Sequence, residues 1–268
     1  MKLKLNTGFT LLEILIALFI GLTLVGILVQ NYLSAKRIYK VQNEIAHFSE
    51  DIRFASSFLQ QSIMQAGFVG CRRISELDFF EAPDVIHGYD SRGTDVIVIT
   101  KAKSESTTLT KNANAGDTSI SVKKNLTTKS NQLLLISDCN NAELFTAGDT
   151  LKHSYQINNT TVRQFERITF FISEVSYPTA ENKHTYSLYF LVNHGEKQEL
   201  IPEISNMQID YGVDTLGENK ITEHLKAVEI TNRNLWDKVL SVAITLTPQD
   251  RLPGLKPWKI YIKLRERG

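Results

Sequence analysis

Glu13 poses the first chemical question in this sequence. It is the one ionisable side chain between Phe9 and Val29, and from Ile14 to Val29 only Gly21, Thr23 and Gly26 interrupt an apolar run. A helix-centre acid costs roughly 2.5–3.5 kcal/mol on insertion scales and less near an interface. The carboxylate therefore needs either the headgroup layer or a cation beside it. Elsewhere reactive groups are sparse. His47, His87, His153, His184, His194 and His224 are scattered, with no H-E-x-x-H and no pair at ligand spacing, so they read as solvated surface histidines. The two cysteines, Cys71 and Cys139, are too few for a metal site. One acidic cluster runs from Asp210 through Asp214 and Glu218 to Asn219; with Thr215 and Leu216 inside it, it reads as a hairpin turn, metal binding there being left open. No G-x-S-x-G, phosphate loop or dinucleotide fingerprint occurs, and the sequence calls for no cofactor and no catalytic residue.

The elements that must position Glu13 follow from hydrophobic spacing. At 1.5 Å per residue the run from Phe9 to Val29 reaches about 31 Å, the thickness of a bilayer core. Lys2 and Lys4 precede it, and Gln30 to Lys36 contain no small-x-small cleavage site of the secretory kind. Beyond the span Ile38, Val41, Ile45, Phe48, Ile52, Ala55 and Leu59 recur at alternating spacings of 3 and 4, so the helix is expected to continue to Ala66, where Gly67 stops it. Two partners fit that stripe: a second helix in a coiled coil, or a sheet of the same chain. The strand-like sequence that follows favours the sheet. Strands are expected at Asp95–Thr100, Thr118–Val122, Gln132–Ile136, Arg167–Glu174, Thr185–Val192 and Asn206–Val213. Two more alternate cleanly, with Leu240, Val242, Ile244 and Leu246 on one face of the first and Trp258, Ile260, Ile262 and Leu264 on one face of the second. A short helix is expected within Ile221–Arg233, an exposed mobile segment over Lys101–Lys129, and no internal repeat is evident. One long helix followed by strands makes the class α+β. The net charge of +1 becomes −1 without Lys2 and Lys4, so no global field draws the chain to nucleic acid.

The basic leader, Gly8, Phe9 and an acid at the fifth place from Phe9 resemble the class III signal of type IV prepilins and type II secretion pseudopilins. The resemblance implies cleavage by a prepilin peptidase after Gly8, methylation of the new terminus at Phe9, and pairing of Glu13 with the N-terminal ammonium of a neighbouring subunit. It also implies a type IV pilin-like fold: a cytoplasmic leader at 1–8, a long helix at 9–66 crossing the membrane at about 9–30, and a periplasmic, antiparallel β-rich domain at 67–268. In that oxidising compartment Cys71 and Cys139 are expected to form a disulfide. Gly67-Phe68-Val69-Gly70-Cys71-Arg72, the region of Cys139, and Leu200 to Asp214 are each similar to segments of PilW-type minor pilins.

What this implies is a minor pilin that initiates type IV pilus assembly in support of motility, adhesion or DNA uptake. Its partners would be other minor pilins, the major pilin, the prepilin peptidase, the inner-membrane assembly platform and, before assembly, the lipid bilayer; no direct nucleic-acid binding is expected. Two alternatives stand beside it: a type II secretion pseudopilin of the J type, and a periplasmic enzyme or receptor held by an uncleaved membrane helix.

Overall fold

The computed structural model describes residues 10–70, 74, 78–80, 84–124, 126, 133–146, 148–175, 185–193, 195–249 and 255–264. The chain divides into two compact units, Met1–Asp51 and Ile52–Gly268. Helix α1 spans Leu11–Met64, close to the expected range, and contributes to both.

Within the first unit α1 carries the apolar run with its side chains exposed, Leu11, Phe19 and Leu22 each by more than two thirds. Within the second it buries Ile52, Ala55, Leu59 and Ile63, the spacing that keeps one helix face inward. Ile52, Leu59 and Ile63 each contribute roughly 1.5–3 kcal/mol of hydrophobic burial, and Ala55 lets the helix approach closely. The Phe58 ring meets Phe170 and Phe190 at centroid distances of 5.9 and 5.0 Å, so the partner of this face is a sheet of the same chain. Gly67 ends the helical turns at φ 73 and donates its N–H to the Thr100 carbonyl at 2.8 Å. A Cβ there would press on Val85 at 2.8 Å, so the junction between helix and sheet takes glycine for two reasons.

The expected single antiparallel sheet is two sheets. The larger contains β1 (Asp78–Phe80), β2 (Ile86–Ser91), β3 (Thr94–Thr108), β4 (Leu134–Ser137), β5 (Asn141–Phe145), β6 (Thr161–Glu174), β7 (Tyr186–Val192) and β8 (Gln198–Ile201). β6 is its centre: β3 lies along one edge, while β4 and then β7 share the other. β1 pairs with β5 in parallel, so this sheet is mixed. The smaller sheet has the order β10-β9-β11-β12, from β9 (Ile204–Val213), β10 (Glu223–Leu225), β11 (Val239–Pro248) and β12 (Trp258–Lys263). β11 and β12 pair as their alternation requires, with Val242, Ile244, Leu246, Ile260, Ile262 and Leu264 buried; Leu240 is half-buried and Trp258 is exposed. The expected helix within Ile221–Arg233 is shorter. α2 covers Ala227–Arg233, because Glu223–Leu225 finds a ladder partner in β9 and becomes β10.

The Lys101–Lys129 segment is folded over its described residues. β3 extends to Thr108, and Leu109 and Ala113 join Leu151 and Tyr155 in a separate small core. Ala113 and Tyr155 exchange backbone bonds of 3.0 and 2.7 Å, which zips this excursion to the one before β6. Thr118–Val122, expected as a strand, makes only a bridge from Val122 to Leu109. A short repeat becomes visible here: Gly116-Asp117-Thr118 and Gly148-Asp149-Thr150 build the same turn. In each the Asp Oδ2 accepts the N–H three residues back, from Asn114 at 2.8 Å and from Thr146 at 2.7 Å, and each Gly has a positive φ.

Candidate functional site

The Glu13 end of α1 is built locally. Thr10 precedes the helix, its carbonyl accepting N–H bonds from Glu13 at 3.1 Å and Ile14 at 3.3 Å, and its Oγ1 accepts from Glu13 at 3.3 Å. Glu13 falls in the first turn, where the positive end of the helix dipole favours a carboxylate. It shares one shallow helix face with Ala17, Gly21, Leu22 and Val25. A Cβ on Gly21 or Gly26 would meet nothing within 4 Å, so the backbone is open to close approach at both. The result is a carboxyl side chain at the head of an exposed apolar helix face. Gly8 and Phe9, the expected cleavage and methylation residues, lie outside the described residues, as does Cys71. Cys139 follows the end of β4 in the left-handed region, at φ 73.

The acidic cluster is a self-capped turn. Asp214 Oδ1 accepts backbone N–H bonds from Leu216, Gly217 and Glu218 at 3.1, 2.8 and 3.2 Å, and Oδ2 accepts from Asn219 at 2.7 Å. Burial alone would raise this carboxyl, but the four donors hold it below its ordinary range. Asp210 is engaged apart from it, by Lys226 Nζ at 3.0 Å.

Two histidines depart from the surface reading. The His87 ring packs on Trp236 at 4.8 Å, and Trp236 meets Tyr211 edge-on at 5.1 Å. His153 is three-quarters buried, its Nδ1 lying 3.8 Å from Glu143 Oε1. Glu143 is itself buried and accepts the backbone N–H groups of Lys152 and His153 at 2.8 and 3.1 Å. His47 and His224 are exposed; His184 and His194 lie outside the described residues.

Sequence reasoning missed the junction between the sheets. The half of β9 that β10 leaves open is closed by side chains. Thr94 Oγ1 bonds Met207 N at 3.2 Å and Met207 O at 3.3 Å, Asp95 Oδ2 accepts Ile209 N–H at 2.6 Å, and Lys226 Nζ donates to Ile209 O at 3.1 Å. Burial raises the Asp95 carboxyl, and the Ile209 N–H and Lys226 oppose it. The one local signal is an acid at the head of the apolar run Asp95–Thr100, and nothing beside it names its partner.

No curated protein and no solved structure matches the chain. The stretch that runs from within β6 through β7, β8, β9, β10 and α2 to just past β11 is similar to a known family: residues 169–251 match the PilW model, Type IV Pilus-assembly protein W.

Proposed function

We propose that this chain is a minor pilin that takes part in initiating type IV pilus assembly. The observation that carries the reading is the union, in one chain, of a PilW-matching β region with a helix whose apolar first part is exposed and carries Glu13 at its head. One helix of this kind fits a single-pass membrane anchor. On this reading the prepilin peptidase cuts after Gly8, Phe9 becomes the methylated terminus, and Glu13 pairs with the terminal ammonium of a neighbouring subunit. Two charges that are each costly in lipid then neutralise one another as the helix leaves the inner membrane for the filament. The body from residue 67 onward faces the periplasm before assembly and the cell surface afterwards. There it contacts other minor pilins and the major pilin above the assembly platform. Cys71 and Cys139, the two cysteines of the chain, form a bridge in that oxidising compartment. The role is structural, in support of motility, adhesion or DNA uptake, and needs no cofactor.

Mass spectrometry of sheared filaments from cells making a tagged copy tests this. The expected result is the chain in the filament fraction with a methylated Phe9 at its start. Absence from filaments, or filament-borne protein that retains residues 1–8, would overturn it.

A further inference from the structure

We infer that the stretch of α1 just past the apolar run, Tyr32, Lys36, Arg37, Tyr39 and Lys40, is a docking surface for anionic phospholipid headgroups of the leaflet on the far side of the span. The inference rests on the membrane anchoring proposed above and adds a lipid preference to it.

The spacing places these residues. With Glu13 near one edge of a core about 30 Å thick, a rise of 1.5 Å per residue brings the opposite edge to about Tyr32. Lys36 and Arg37 then stand roughly 6–8 Å further out, within the headgroup layer, and Lys40 about 12 Å out, close to one Debye length from it. At 100° per residue Tyr32, Lys36 and Tyr39 share one face, and Lys40 borders it. Tyr32 and Tyr39 are about 70% exposed, so neither ring serves the protein's own core, and tyrosine is a residue of the membrane interface. The cations are also uncommitted. Lys40 is paired only with Glu44, at 3.8 Å with both side chains largely in solvent, a contact of little worth. Lys36 and Arg37 make no ion pair among the described residues.

The charge pattern runs against the usual topology. Lys2 and Lys4 precede the span while Lys36, Arg37 and Lys40 follow it, so the far side carries the larger basic cluster, which the positive-inside tendency disfavours. A surface of anionic lipid accounts for both the cluster and the aromatic residues interleaved with it. Each basic residue near such a surface strengthens attachment about fivefold at physiological ionic strength. This attachment must be broken when the helix leaves the bilayer, so the collar opposes extraction until neighbouring subunits replace the lipid.

The test uses the full chain in detergent, titrated with phosphatidylglycerol or with phosphatidylcholine and read by native mass spectrometry, with carbonate extraction of the source membranes alongside. Wild type should retain phosphatidylglycerol over phosphatidylcholine. The triple variant Lys36→Gln, Arg37→Gln, Lys40→Gln should lose at least fivefold of that preference, and Lys256→Gln with Lys259→Gln should keep it. Equal retention of the two lipids by wild type, or an unchanged preference in the triple variant, would overturn the inference while carbonate-resistant protein leaves the anchor standing. Release of wild type by carbonate would overturn the anchor, and the headgroup surface with it.

Discussion

Glu13 and Asp95 are both carboxylates in apolar surroundings, and their partners set them apart. Glu13 stands at the head of an exposed helix face, and in the proposed role its cation comes from a neighbouring subunit. Glu13→Gln keeps the shape and loses the charge; it should insert and mature as wild type does yet be strongly depleted from sheared filaments, measured by quantitative mass spectrometry. Asp95 is buried and holds the Ile209 N–H at 2.6 Å. Asp95→Ala would leave that donor unsatisfied and should cost about 1–3 kcal/mol in denaturant unfolding, while Asp95→Asn, which keeps an acceptor, should recover part of the loss.

Among the elements, β2 and the Asp214 turn show how much a strand or loop depends on one position. Gly88 of β2 faces the Tyr211 hydroxyl, and a Cβ there would collide with it and come within 3.3 Å of Trp236. Tyr211 is fully buried and cannot swing away, so Gly88→Ala should destabilise by about 1–3 kcal/mol, read as a fall in unfolding midpoint at unchanged slope. The Asp214 turn makes a statement about pH. Its carboxyl is depressed in the folded state, so the unfolded chain binds the proton more readily. The turn's contribution is present above the unfolded value of 3.8 and is lost as pH falls through the lower folded value. Asp95 has the opposite sign: its raised carboxyl favours the folded state at low pH and loses that contribution as pH rises from 3.8 through the folded value. Stability measured between pH 5 and pH 2 should therefore fall less steeply in Asp214→Asn than in wild type.

For the molecule as a whole, the Cys71–Cys139 bridge would close a loop of roughly seventy residues and contribute about 4 kcal/mol in the chain-entropy model. Cys139→Ser should lower the thermal midpoint, and a reductant should do the same to wild type while leaving the variant unmoved. A reductant without effect on wild type, with both thiols recovered by alkylation, would remove the bridge from the account. The PilW match lies in the second unit and the exposed apolar run in the first, so the two features on which the proposed pilus role rests belong to separate parts of the chain.

Periodicity within one element needs no partner to be read, and what rests on it was legible in the sequence. The length of the apolar run, the inward face through Ile52, Ala55 and Leu59, the stop at Gly67 and the alternation of β11 and β12 all follow from residues a few places apart. The Leu200 to Asp214 segment, which lies inside the PilW match, is likewise a short run of sequence. Tertiary structure decided whatever depends on distant pairing. Asp95 meets Ile209 at a separation of 114 residues, and nothing near either one announces the other. Glu223–Leu225 is a strand and not a helix because β9 offers it an edge. The polar Lys101–Lys129 segment folds over its described part because Leu151 and Tyr155, far along the chain, complete a core for Leu109 and Ala113. Composition reports the average burial of a segment, and contacts across such distances decide which of its few apolar residues are withdrawn from water.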